Sequence, residues 1–247
     1  MTTTETEVIT AVTARGALVT DRLGTPDTHL ALRAVSKVYP TKPPLHALRE
    51  VSLDIDRGEF VAVVGPSGSG KTTLLSLMGL LDTPTSGEVW IDGVEASALS
   101  EAQRSLLRSD QIGFVFQQFY LLSALTARDN VATGMLYQGL APAERRSRAE
   151  SALARVGLAA RADHRPGELS GGEQQRVAIA RAIAGDPSIV FADEPTGALD
   201  QASGRLVLEC LRGANELGAT VVVITHDLDL AGLFDRQIHV LDGEVTA

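Results

Sequence analysis

Cysteine is almost missing from this chain, Cys210 being the only one among 247 residues. A lone thiol excludes an intramolecular disulfide and a cysteine-rich metal site, and it fits a reducing compartment. Lysine is nearly as scarce, since Lys37, Lys42 and Lys71 are the only ones and arginine carries the other positive charges. Net positive charge is absent, and a formal charge of −9 excludes the broad basic surface that direct nucleic-acid binding needs. No apolar run approaches the roughly 20 residues that span a bilayer. The start, MTTTETEVITAVTARG, has no basic segment followed by an apolar one. Any membrane role is therefore expected to need a partner chain. Internal repeats and long heptad arrays are missing too, which leaves no coiled-coil arm.

What is present is a chain with 44% hydrophobic residues, long enough to bury one core with subdomains or two small domains. Residues 1–30 are rich in Thr, Ala and charge, lack sustained periodicity and contain the breaker pair Thr25-Pro26, so a flexible extension is expected there. Short apolar runs follow at Leu32 to Val38, Val51 to Ile55, Phe60 to Val64 and Glu88 to Ile91, punctuated by Lys42-Pro43-Pro44, Asp56-Arg57-Gly58 and Asp92-Gly93. These are predicted strands. From Thr126 to Ala160 helix formers dominate, with Ala149, Ala152, Leu153 and Val156 at helical spacing before Gly157. Ser188 to Ala192 and Thr220 to Thr225 are apolar and β-branched and flank a helical pattern from Gly204 to Leu217, predicting a βαβ unit.

Chemistry concentrates where the predicted strands end. After Val64 comes Gly65-Pro66-Ser67-Gly68-Ser69-Gly70-Lys71-Thr72-Thr73, a phosphate-binding loop. Its glycines let backbone N–H groups turn toward one point, the helix starting near Gly70 aims its positive end there, and Lys71 adds a full charge. A compact ammonium suits such a cradle better than the planar fork of arginine. Thr72 offers a hydroxyl to Mg²⁺, so ATP and Mg²⁺ are the expected ligands. Asp193 ends the run Ile189 to Ala192 as a carboxylate suited to holding Mg²⁺ directly or through water, and Glu194 beside it is placed to orient or deprotonate the attacking water. His226 follows Thr225. In a parallel sheet such strand ends share an edge, where ligands of open α/β sheets bind. In Leu169-Ser170-Gly171-Gly172-Glu173-Gln174-Gln175-Arg176, Ser170 and Glu173 make a capping box. Two consecutive glycines go beyond what a cap requires and point to a close approach at a positive helix end, a second anion site.

GPSGSGKTT, LSGGEQQR, IVFADEP, Ala198-Leu199-Asp200 and Thr225-His226-Asp227 together resemble, in order, the motif set of ABC-type ATPase domains over about residues 31–247. The resemblance implies an α/β P-loop NTPase fold with a mainly parallel core sheet, an antiparallel β subdomain and an inserted helical subdomain over about 117–170. It implies an ATPase in which two copies close head to tail on two ATP molecules, Ser170, Gly171, Gly172 and Glu173 of each completing the site of the other. By motif, Tyr39 would stack on adenine and Gln117 would sense Mg²⁺ and the attacking water, with adjacent Gln118 open as the alternative. Asp200 would shape the dimer interface and His226 would contact the γ-phosphate. His29, His46, His164 and His239 lack such context.

Leu80 to Gly87, Phe114 to Leu122 and Ala192 to Asp200 are similar to the lipoprotein-release and macrolide-export branch of that family. That similarity implies a separate integral-membrane permease, docked on the segment from Gln117 to about Gly167, and a homodimer held at the cytoplasmic face of the membrane through that permease alone. The alternatives are a regulatory scaffold of the cell-division type, or an ABC ATPase of DNA maintenance or translation. The acidic charge and missing coiled coil oppose the latter.

Overall fold

Two strand patterns sort into two sheets, seen in a computed structural model that describes residues 27–246. The strands are β1 (Thr28–Tyr39), β2 (Leu45–Asp56), β3 (Phe60–Val64), β4 (Ser86–Ile91), β5 (Val94–Glu95), β6 (Ile112–Val115), β7 (Ile189–Asp193), β8 (Thr220–Thr225), β9 (Arg236–Leu241) and β10 (Glu244–Thr246). The helices are α1 (Lys71–Met78), α2 (Glu101–Gln111), α3 (Ala127–Thr133), α4 (Pro142–Arg155), α5 (Gly171–Ile183), α6 (Gln201–Glu216) and α7 (Leu228–Ala231). β3, β7 and β8 are apolar along almost their whole length because both their faces are covered. They lie inside a six-stranded sheet of order β10-β9-β3-β8-β7-β6, parallel except for β10. β1 and β2 alternate more and belong to a four-stranded antiparallel sheet of order β2-β1-β4-β5.

The pleat divides the core. Phe60, Ala62, Val64, Val190, Ala192, Val221 and Val223 face one apolar layer shared with α3 to α6. Val61, Val63, Ile189, Phe191, Val222 and Ile224 face the other, shared with α1 and the antiparallel sheet. α1 is thus sandwiched between the sheets, its Leu74, Leu75, Leu77 and Met78 buried, which fixes the direction in which its N-terminus points.

The expected α/β class with parallel core, antiparallel sheet and helical insertion is what the chain adopts. Two details change. β1 begins at Thr28, so the extension expected over residues 1–30 loses its last three residues to a strand, and residues 1–26 of it lie outside the described residues. The helical insertion is broken, because α3 stops at Gly134, where a Cβ would stand 2.4 Å from the Arg181 carbonyl oxygen. α4 restarts with Pro142 in its first turn and ends before Gly157, at φ +72°.

Candidate functional site

The phosphate loop leaves β3 at Val64 and feeds α1 at Lys71. Its shape is set by neighbours on both sides. A Cβ on Gly65 would lie 2.1 Å from the Val240 carbonyl oxygen of β9, and one on Gly70, at φ +107°, would lie 2.5 Å from that of Ala47 in β2. Only glycine fits either place. The Ser69 N–H donates to Pro66 O at 3.2 Å, and the Gly243 N–H donates to Ser69 O at 2.9 Å. Lys71 is buried, its Nζ donating to the carbonyls of Gly65 and Pro66 at 2.8 Å each. The Ser69 hydroxyl is buried without a hydrogen-bond partner. Thr72 is exposed and Thr73 half-buried on the first turn of the helix.

Strand register then places the other groups. Val64 pairs with Thr225, Ile224 with Asp193, and Ala192 with Val115, so four strands end at one level. The phosphate loop, His226, Asp193-Glu194 and Gln117 leave from that edge in the order β3, β8, β7, β6. Burial pushes the Asp193 carboxyl above its ordinary range, the neighbouring Glu194 adds to the shift, and Lys71 opposes it. Glu194 stands at φ +46°, unusual for a residue with a side chain, with its N–H donating to Ile224 O at 3.0 Å. His226 Nδ1 lies 2.7 Å from Glu194 Oε1, the histidine exposed and the carboxylate largely covered. Gln117 sits beside the turn that follows, its Nε2 3.1 Å from where a Gly197 Cβ would be.

The oxygen donors at this edge suit a hard cation. Thr72 offers a hydroxyl, and the half-buried Asp193 carries a charge that burial and Glu194 disfavour and a cation would relieve. Among the described residues no cluster of three His, Cys, Asp or Glu side chains forms a complete cage. Hydroxyl and carboxylate oxygens of this kind fit Mg²⁺ held by few protein ligands together with substrate phosphates.

The serine-glycine segment opens α5. Ser170 Oγ accepts from the Glu173 N–H at 3.3 Å, and the Ser170 N–H donates to Glu173 Oε2 at 2.8 Å, the reciprocal box expected at the start of α5. The hydrogen bonds from Ser170 hold the Glu173 carboxyl below its usual range. Among the described residues no hydrogen bond or ion pair joins residues 170–173 to residues 65–73. The two glycines have different surroundings. A Gly172 Cβ would be 2.8 Å from both Cβ and Oγ of Ser203 in the same chain, whereas a Gly171 Cβ would meet only ordinary contacts, Leu199 at 3.6 Å and Phe119 at 4.0 Å. Packing against Ser203 of the same chain is thus one constraint on Gly172, beside the approaching ligand expected from the sequence. Asp200 caps α6, accepting from the Ser203 N–H at 2.9 Å and its hydroxyl at 2.8 Å.

Tyr39 ends β1 half-buried, with its hydroxyl 3.2 Å from Asp82 Oδ2. Sequence reasoning missed Asp82 and Lys37, which meet this ring only through the fold. It also missed Gln175 and Arg181 of α5, which donate to the carbonyls of Phe116, Phe119 and Tyr120 just beyond β6. Six residues apart, Gln175 and Arg181 lie about 120° from one another around the helix, so no sequence pattern links them or reveals their backbone targets.

The family model described as ABC transporter matches residues 48–197. The chain belongs to the ABC transporter family. This ABC protein is 50% identical over 201 residues to the macrolide export ATP-binding/permease protein MacB of Neisseria meningitidis serogroup B, a match covering 81% of this chain and 31% of that one. It thus spans about a third of the length of its MacB relatives. An ABC transporter ATP-binding protein of Methanocaldococcus jannaschii, MJ1508, is 49% identical over 81% of this chain and 89% of its own. The ATP-binding cassette MJ0796, solved as a dimer in a post-hydrolysis state with ADP and Pi, superposes with a TM-score of 0.81 at 45% identity, covering 88% of this chain and 97% of that one. This ABC chain is an ATP-binding cassette ATPase. No helix among its described residues is long and apolar enough to cross a membrane.

Proposed function

We propose that two copies of this cassette close head to tail on two ATP molecules, hydrolyse them and drive a separate integral-membrane permease of the macrolide-export or lipoprotein-release type. The observation that carries the reading is the division of the motifs. The phosphate loop, Asp193, Glu194, His226 and Gln117 share one sheet edge, while Ser170 to Glu173 begin a helix that, among the described residues, makes no hydrogen bond or ion pair with their own loop. A second copy would bring that helix start to the bound triphosphate, its free N–H groups meeting the negative charge.

In this mechanism Lys71 leaves the Gly65 and Pro66 carbonyls for the phosphate oxygens, exchanging neutral acceptors for charged ones. Tyr39 receives the base. Thr72 and Asp193, with Gln117, would hold Mg²⁺, which neutralises phosphate charge during in-line transfer. Glu194 takes a proton from the attacking water, and His226, already in contact with that carboxylate, steadies it and reaches toward the γ-phosphate. Product release reopens the dimer.

Support for a permease comes from the helical insertion, where Tyr120, Leu122, Leu136 and Tyr137 expose large apolar side chains, Tyr137 at 82%. They fall inside the docking segment expected from Gln117 to about Gly167, between the nucleotide edge and α5. The association would hold the cassette at the cytoplasmic face of the membrane. For the hydrolytic assignment, Glu194→Gln is expected to bind ATP normally and to lower turnover by roughly 10²- to 10⁴-fold in a phosphate-release assay. Turnover near that of the unaltered chain would remove Glu194 as the base.

A further inference from the structure

Tyr39 does not stand alone at the end of β1. Lys37, two residues earlier and therefore on the same strand face, brings its Nζ to 5.0 Å from the centre of the Tyr39 ring. The same Nζ donates to Asp82 Oδ1 at 2.7 Å and to Thr83 O at 2.8 Å. The Tyr39 hydroxyl donates to the second carboxylate oxygen, Oδ2, at 3.2 Å. One carboxylate thus grips the tip of the ring and the ammonium above its face. Burial alone would raise the Asp82 carboxyl, but the hydrogen bonds from Lys37, the Thr83 N–H and Tyr39 outweigh it and hold the group below its usual range, an anion at neutral pH.

Asp82 is in turn tied to the phosphate loop. The N–H groups of Leu81 and Asp82 both donate to the Ser76 carbonyl, at 2.8 and 3.1 Å, within the helix whose first residue is Lys71. The strand side is tied as well, since Gly70 packs on Ala47 of β2 and the adjacent His46 pairs with Val38 of β1.

We infer that Lys37 and Asp82 are positioning residues that lock the Tyr39 ring at a set distance from the phosphate loop, so that one rigid unit receives both the base and the phosphate tail of the nucleotide. The inference rests on the reading of Tyr39 as the base platform. An unanchored tyrosine would lose its side-chain torsional freedom when a base stacked on it, and here that loss occurs on folding. The ammonium occupies one ring face, so the base would stack on the other.

Titration calorimetry with Mg-ADP and with magnesium pyrophosphate, which has no base, separates the possibilities without turnover. Tyr39→Phe, which keeps the ring and removes its hydroxyl, and Asp82→Asn are each expected to weaken Mg-ADP about three- to tenfold, the equivalent of losing one ordinary hydrogen bond, and to leave pyrophosphate affinity unchanged. The double variant is expected to be no weaker than the worse single one. Equal weakening of both ligands would overturn the inference by making the bridge a general prop of the fold. If Tyr39→Ala weakens Mg-ADP while Tyr39→Phe and Asp82→Asn do not, the platform survives and the positioning role falls. If Tyr39→Ala changes nothing, the platform itself falls.

Discussion

At the scale of single residues, the site is governed by where charge is placed and what opposes it. Lys71 lies buried against two carbonyls and near enough to Asp193 to offset part of that carboxyl's upward shift. A triphosphate seated in the loop would replace two neutral acceptors by charged oxygens, the stronger kind of hydrogen bond. Lys71→Ala is therefore expected to weaken Mg-ATP roughly 10- to 100-fold in equilibrium binding, with Glu194→Gln close to the unaltered chain. Equal affinities for Lys71→Ala and the unaltered chain would contradict the cradle. The glycines of the loop were legible as a pattern, but the reasons for two of them were not, because the Val240 and Ala47 carbonyls that exclude a Cβ come from strands far away in sequence. For Gly172, Ser203 of the same chain adds a constraint that the sequence did not show.

At the scale of elements, buried polar side chains hold the backbone that the helical insertion needs. Asn130 of α3 is fully buried, accepting from the Leu122 N–H at 2.7 Å and donating to the carbonyls of Leu122, Leu125 and Thr126. It shapes the loop that bears the exposed Leu122. Asn130→Ala strands those groups and is expected to cost about 1–3 kcal/mol in chemical denaturation, with hydrogen exchange rising first over residues 121–126. Unchanged stability would show that solvent replaces the amide without loss. The elements that sequence revealed were those with an unambiguous covering. β3, β7 and β8 are apolar on both faces, and β8 matches its expected limits of Thr220 and Thr225. α2 went unnoticed because none of its residues is buried, so no apolar stripe marks it, although its Ser100–Gln103 capping box was available. β9 and β10 also went unnoticed, since polar residues interrupt β9 and the two are joined only by the Asp242-Gly243 turn.

At the scale of the whole molecule, the two sheets are also joined away from the nucleotide edge. His29 of β1 joins them at the opposite edge, its Nδ1 2.7 Å from Thr220 Oγ1 and its Nε2 3.2 Å from both Ser188 Oγ and Asp92 Oδ1. Burial lowers the affinity of this imidazole for a proton; Asp92 opposes the shift and Arg57, which pairs with Asp92, reinforces it. The unfolded chain then binds the proton first as pH falls, so the contribution of His29 to stability is full above the ordinary histidine value of 6.5 and is lost below it as pH approaches the lowered folded value. His29→Gln is expected to flatten the fall in melting temperature below about pH 6.5. An identical pH profile in the two proteins would contradict this account. In the sequence His29 had no context because its partners are 159 and 191 residues away.

The central claim is that the phosphate loop of one copy and the serine-glycine helix start of another grip the same triphosphate. Analytical ultracentrifugation of the Glu194→Gln chain, with and without Mg-ATP, tests it most directly. A shift from monomer to dimer on adding Mg-ATP, abolished by Ser170→Arg at the exposed helix start, is predicted. A single species of unchanged mass across all nucleotide and protein concentrations would contradict it.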